Sequence, residues 1–187
     1  MISDLFAQKA ASALVLVMTI AGQPAFADTT SANTTDVASL EIVAEPSVQD
    51  VLLAVCEKNG YGENCAETLT GMLWIESNNR FDVVGDHGLA LGYFQIHYKM
   101  HKISADCAKD LVCSANWTIG YMERHSYPTY VSYAVQCHNS CNAGNGYAAK
   151  ALRNGARLWD QPLTITQDAA IDLSQIPDET VTAIALN

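Results

Sequence analysis

The sequence predicts an α+β domain, mostly helical, with a small β-hairpin or loop excursion after one of its helices. Three observations carry this. Apolar residues recur at helical spacing over most of 47–159, one stretch within it (77–92) is instead broken by turn-forming residues, and all six cysteines fall inside the same segment.

The elements follow in order. Ser47 with Asp50 three residues on reads as a capping box, and Val48, Val51, Leu52 and Val55 share one helical face until Gly60. Asn64 with Glu67 gives a second start signal, after which Leu69, Met72 and Leu73 form an apolar stripe. Continued by the same period, that stripe lands on Glu76, so a carboxyl is expected on the core-facing side of the helix end. Across 77–92, Asn78-Asn79, Gly85-Asp86 and Gly88 are turn formers around the short apolar pieces 81–84 and 89–91. Ser114 is expected to cap a helix with Ala115, Ile119 and Met122 inward and with Arg124 and His125 near its negative end. Pro128 opens another, with Val131, Ala134, Val135 and His138 on one face. A last short helix spans 147–153 and stops at Gly155.

The chain has 187 residues, is 49% hydrophobic and carries a net charge of −10. Such a chain has enough apolar surface for a core, which excludes a wholly disordered protein, and its charge excludes bulk electrostatic binding of nucleic acid. The excess is local. Residues 28–50 and 160–187 each hold five acidic groups and no Lys or Arg, whereas 51–159 holds nine of each sign. Both flanks also lack Cys, Trp, Tyr and Phe, which makes them poor core material.

Residues 10–22 form an apolar run, and the small Ala25 and Ala27 behind it suit signal-peptidase cleavage before Asp28. The run is shorter than the ~20 residues a membrane span requires. The expected organisation is a signal peptide (1–27), an acidic N-terminal segment (28–46), one domain (47–159) and an acidic C-terminal tail (160–187). The product is a secreted or periplasmic protein with no stable membrane anchor after cleavage. In that compartment Cys56, Cys65, Cys107, Cys113, Cys137 and Cys141 are expected as disulfides. Sequence-local pairing is the simplest arrangement, each loop contributing about 2–3 kcal/mol. Cys137, His138 and Cys141 also have metal-ligand spacing, but export favours oxidation; His97 and His101 lack the glutamate of a zinc-protease helix.

Chemistry centres on Glu76. An apolar neighbourhood and the negative end of a helix both favour a neutral carboxyl, the form a general acid needs to protonate a glycosidic oxygen. Asp82 and Asp86 follow across turn-forming sequence that folds back over the helix end, and paired carboxyls across a cleft are the usual equipment of glycoside hydrolysis. Tyr93, Phe94, Tyr98, Tyr127, Tyr130 and Tyr133 crowd the surrounding segments, and such rings suit sugar faces.

These residues carry a resemblance. Glu76-Ser77, then Gly85-Asp86-His87-Gly88-Leu89-Ala90-Leu91-Gly92-Tyr93-Phe94-Gln95-Ile96, resembles the catalytic core of the lysozyme superfamily. Soluble lytic transglycosylases and goose-type lysozymes show a similar Glu-Ser followed by Gly-x-x-Gln-Ile, and Gly-Tyr-Phe-Gln-Ile is close to invertebrate-type lysozymes. Cys107-Ala108-Lys109-Asp110 and Cys113-Ser114-Ala115, through Tyr121-Met122-Glu123-Arg124 to His138-Asn139, are similar to the invertebrate type as well. The resemblance spans about 65–152 and implies a lysozyme-like domain.

It further implies Glu76 as the catalytic acid and later the base. Gln95 matches a glutamine lining the sugar groove, and Asn139 the asparagine of a His-Asn or Tyr-Asn motif. In an alternative register Cys141-Asn142-Ala143-Gly144 lies on the transglycosylase Tyr-Asn-Ala-Gly element, which makes Asn142 the substrate-facing amide. Tyr147 fits the aromatic that follows, and Ser77 and Tyr93 are further candidate substrate contacts. Asp86 matches the second acid of invertebrate-type lysozymes if one residue is deleted before Gly92, and Asn78-Asn79 stands where that family has Gly-Cys. Lytic transglycosylases need one acid only, because the substrate's own 6-hydroxyl closes a 1,6-anhydro sugar. The expectation is a muramidase acting on peptidoglycan glycan strands without metal or cofactor. The alternatives are a lytic transglycosylase, or a non-catalytic glycan-binding or envelope-assembly component whose acidic tails dock an envelope or secretion complex.

Overall fold

The structure, a computed structural model, describes residues 45–175. The expected signal peptide (1–27), all but the last residues of the 28–46 segment, and residues 176–187 lie outside them.

Helix α1 (Val48–Lys58) opens on the expected capping box: the Ser47 N–H donates to Asp50 Oδ2 at 2.8 Å and the Asp50 N–H to Ser47 Oγ at 3.2 Å. After Gly60 the chain turns into α2 (Glu63–Ser77), which starts earlier than the Asn64 signal indicated. Gly62 is its N-cap, and the adjacent Cys56–Cys65 disulfide ties this first turn to α1. Buried on nearly every side from Cys65 to Leu73, α2 is the central helix.

The excursion is a three-stranded antiparallel sheet, β1 (Val84–Gly85), β2 (Ala90–Leu91) and β3 (Ile96–His97), with Val84 opposite Leu91 and Ala90 opposite His97. The third strand goes beyond the expected hairpin, because Gly92 (φ 76°) turns the chain back against the carbonyl of Ala108, where a Cβ would not fit. Short helices α3 (Tyr98–His101) and α4 (Ala105–Lys109) follow. Helix α5 (Leu111–Arg124) begins ahead of Ser114: Asp110 Oδ1 accepts from the Cys113 N–H at 2.8 Å, and Ser114 Oγ turns back to donate to the Asp110 carbonyl at 2.6 Å. Helix α6 (Val131–Asn139) follows a cis Tyr127–Pro128 bond. The other two disulfides, Cys107–Cys113 and Cys137–Cys141, complete the sequence-local pairing.

Helix α7 (Tyr147–Leu158) corrects one expectation. It does not stop at Gly155 but runs through it, because Gly155 is a contact residue. Its Cα faces the Glu67 backbone in α2, while Gly71 faces the Ala151 carbonyl in α7; a Cβ at either glycine would overlap backbone.

The described part of the C-terminal flank packs along the domain. Val48 N–H donates to the Leu163 carbonyl at 2.8 Å, and Gln49 bridges the carbonyls of Leu158 and Gln161 at 3.0 and 2.8 Å. Leu163, Ile165, Ile171 and Leu173 pack against the core, so aliphatic contacts and backbone hydrogen bonds replace the aromatic anchors this segment lacks. Among the described residues no helix is long and apolar enough to cross a membrane.

Helix propensity alone favours Gly155→Ala by about 1 kcal/mol. We expect the opposite sign, a loss of about 1–3 kcal/mol in denaturant unfolding, because the added methyl meets fixed backbone rather than space.

Candidate active site

Glu76 occupies the penultimate position of α2, and its side chain retains 18% exposure. Tyr147, the first residue of α7, donates its hydroxyl to Glu76 Oε1 at 2.5 Å. His138, near the end of α6, has a side chain only 6% exposed, with Nε2 3.9 Å from the same oxygen. That distance is a contact rather than a hydrogen bond. Nε2 lies 2.8 Å from the carbonyl of Phe94, which only accepts, so this nitrogen carries a proton; Nδ1 is buried without a partner among the described residues.

Glu76 and Asn139 stand between two depressions that join into one groove. One, of about 250 Å³, is lined by Ile75, Asn145, Tyr147 and Lys150; the other, of about 280 Å³, by Ala90, Gln95, His97 and His138. Asn139 Oδ1 accepts from Asn145 Nδ2 at 2.7 Å, which leaves the Asn139 amide N–H groups for a ligand. Gln95, with a left-handed φ of 47°, is fixed by Nε2 donating to the carbonyls of Val83 and Gly92 at 3.1 and 3.0 Å. A larger cavity, of about 610 Å³, lies between α4 and the C-terminal segment and is lined by none of the candidate residues.

The structure thus brings together Glu76, Gln95, Asn139 and Tyr147, and places the other candidates elsewhere. Asp86, half-exposed in a left-handed turn (φ 42°), lines neither depression; its Oδ2 lies 3.3 Å from His97 Nε2, and His97 intervenes between it and the groove. Ser77 is buried, donating to the Leu73 carbonyl at 3.1 Å and capping the Arg80 N–H, so it shapes the turn rather than the groove. Tyr93 is fully buried, its hydroxyl accepting from the backbone N–H groups of Thr166 and Gln167 at 3.3 and 3.1 Å. Asn142 is exposed in the turn after α6, and of the two registers only that of Asn139 reaches the groove. Phe94 and Tyr127 are buried, and Tyr130 and Tyr133 are exposed on the surface without lining the groove.

His138, Asn145 and Lys150 were not singled out for the site. His138 carries signals in its place on the inward face of α6 and in the His138-Asn139 pair of the resemblance; Asn145 and Lys150 carry none, because only the contact of α7 with α2 brings them beside Glu76. A metal at Cys137 and Cys141 meets two obstacles. The sulfurs are joined to each other, and His138 turns away to Phe94, the nearest imidazole being His125, with Nδ1 3.9 Å from Cys141 Sγ.

Burial, the neighbouring Glu76 charge and the hydrogen bond to it together hold the Tyr147 phenol far above its ordinary range, so it is a fixed donor. The His101 imidazole, one turn from His97, is pushed down chiefly by burial and further by His138, His97 and Arg124.

Two outcomes test this arrangement. The phenol raised in the folded protein supports stability fully below pH 10, and that support is lost above it, where the unfolded chain releases a proton the fold retains. We expect Tyr147→Phe to remove about 1.4 kcal/mol per pH unit from the alkaline stability slope measured by denaturation above pH 10. Tyr93→Phe, which strands two backbone N–H groups, should cost about 1–3 kcal/mol of stability in denaturant unfolding.

No family model, no curated protein and no solved structure matches the chain, so the groove around Glu76 is read from its own chemistry.

Proposed function

We propose that the protein cleaves the β-1,4 bond between N-acetylmuramic acid and N-acetylglucosamine in peptidoglycan, with Glu76 as general acid. The observation that carries this reading is one largely shielded carboxyl, held by a phenol that only donates, at the centre of a polar groove. The motif resemblance around Glu76 and 92–96 supports the same substrate.

In this reaction the Glu76 carboxyl gives its proton to the glycosidic oxygen as the C1–O bond breaks and positive charge develops on the sugar. The resulting carboxylate is stabilised by the Tyr147 hydroxyl and then takes a proton from the attacking oxygen. The Asn139 amide N–H groups and the Gln95 amide oxygen present polar groups suited to hydroxyl and acetamide substituents, while Asn145 holds Asn139 in place.

A specific observation favours a lytic transglycosylase as the second reading. Among the described residues Glu76 is the only carboxylate lining the groove, since Asp86 is paired with His97 outside it. With a single acid, the attacking oxygen is more readily the substrate's own 6-hydroxyl than a water activated by a second carboxylate.

Mass spectrometry of products released from purified peptidoglycan by residues 28–187 tests both. Glu76→Gln should lower release by about 10²–10⁴-fold while glycan binding persists. Reducing-end muropeptides identify a hydrolase and 1,6-anhydro ends a transglycosylase; no release by the wild type at any pH overturns the enzymatic reading.

A further inference from the structure

We propose that Lys150 receives a carboxylate carried by the glycan and so sets both the substrate class, an anionic rather than a neutral β-1,4 glycan, and the direction in which the strand lies across Glu76. This rests on the cleavage reaction proposed above.

Lys150 follows Tyr147 by three residues on α7, so the two share a helical face, and both line the same half of the groove as Glu76. Among the described residues no carboxylate is within ion-pair reach of its ammonium, and no aromatic ring accepts it. An ammonium without a counter-charge, beside a carboxyl that must start the reaction neutral, is a receptor for an anion supplied from outside.

The two halves of the groove differ in sign. The half lined by Ala90, Gln95, His97 and His138 holds no Lys or Arg, and the carboxylate of Asp86 stands behind its His97. An anionic substituent is therefore accommodated on the Lys150 side and opposed on the other. Residues 51–159 hold nine acidic and nine basic groups, so no net charge of that segment offsets a cation within the ~8 Å screening length of the bound sugar. Peptidoglycan carries such carboxylates on the substituent of every second sugar, whereas a chitin-like glycan carries none.

The test measures binding of the full mature chain carrying Glu76→Gln, so that no polymer is consumed. One polymer is native peptidoglycan and the other is the same material with its carboxylates converted to methyl amides. We expect the native polymer to bind about three- to tenfold tighter, the size of one partly shielded charge pair, and added salt to erase the difference. Adding Lys150→Met should remove most of that ratio, Lys150→Glu should invert it, and Lys150→Arg should restore it. The Lys150 side chain lies on an exposed helix position, and an unchanged melting curve verifies folding. A ratio unaffected by Lys150→Met, or equal losses on both polymers, overturns the proposal. If the charge-dependent ratio is present while the wild type releases no products, this inference is supported and the enzymatic reading fails. If neither polymer binds, this inference falls, and the enzymatic reading is decided by product release from the wild type.

Discussion

The site depends on the close contact between two helix backbones. Glu67 lies against Gly155, Gly71 against Ala151, and Glu76 meets Tyr147, so α2 and α7 run antiparallel. Each glycine costs the helix about 1 kcal/mol relative to alanine, a cost offset where the absent Cβ lets whole backbones touch. A phenol at the start of one helix reaches a carboxyl at the end of the other only at this separation. The same approach brings Asn145 and Lys150 to the groove, though neither belongs to a segment that looks chemical in sequence.

A second constraint acts on the loop leaving Glu76. Asn78 and Asn79 both adopt left-handed backbone, with φ of 52° and 63°, which asparagine tolerates better than most residues. Asn79 is then fixed from outside: its Nδ2 donates to the Thr164 carbonyl at 2.8 Å, and its own carbonyl accepts from Thr166 Oγ1 at 2.9 Å. Tyr93 ties the other end of the excursion to the same stretch of the C-terminal segment, through Thr166, which Asn79 also meets, and Gln167. The C-terminal flank thus clamps both ends of the excursion over 79–93, directly ahead of Gln95 and His97. Composition could not anticipate this, because what the flank contributes to the clamp is backbone groups and one threonine hydroxyl, which mark no sequence as core-forming.

What was legible in the sequence was whatever depends on local periodicity or local covalent reach. The capping box at Ser47, the inward stripe ending at Glu76 and the three short disulfides are of this kind. What was illegible depends on contacts between distant segments. Gly155 looks like a helix stop because glycine usually is one, and only the Glu67 backbone opposite shows why the helix continues. In 92–96, Gly92 fits against Ala108, Tyr93 anchors the C-terminal segment, the Phe94 carbonyl accepts from His138, Ile96 is buried, and only Gln95 faces the groove. A run of residues that reads as a binding motif is thus mostly a packing motif that delivers one side chain.

The division of labour around Glu76 bears on how the proposed reaction ends. Tyr147 is kept protonated by burial and by the adjacent carboxylate, so it stabilises the charge left on Glu76 after proton transfer but cannot take up a proton itself. His138 is committed through Nε2 to the Phe94 carbonyl, with its other nitrogen enclosed, which removes it as a base toward a ligand in the groove. Asp86 meets the groove only through His97. Of the groups near the reacting bond, Glu76 alone is left to accept the proton of the attacking oxygen. A single residue that first gives and then recovers one proton suits a nucleophile already positioned by the bound sugar, because such an oxygen needs no second carboxylate to orient it.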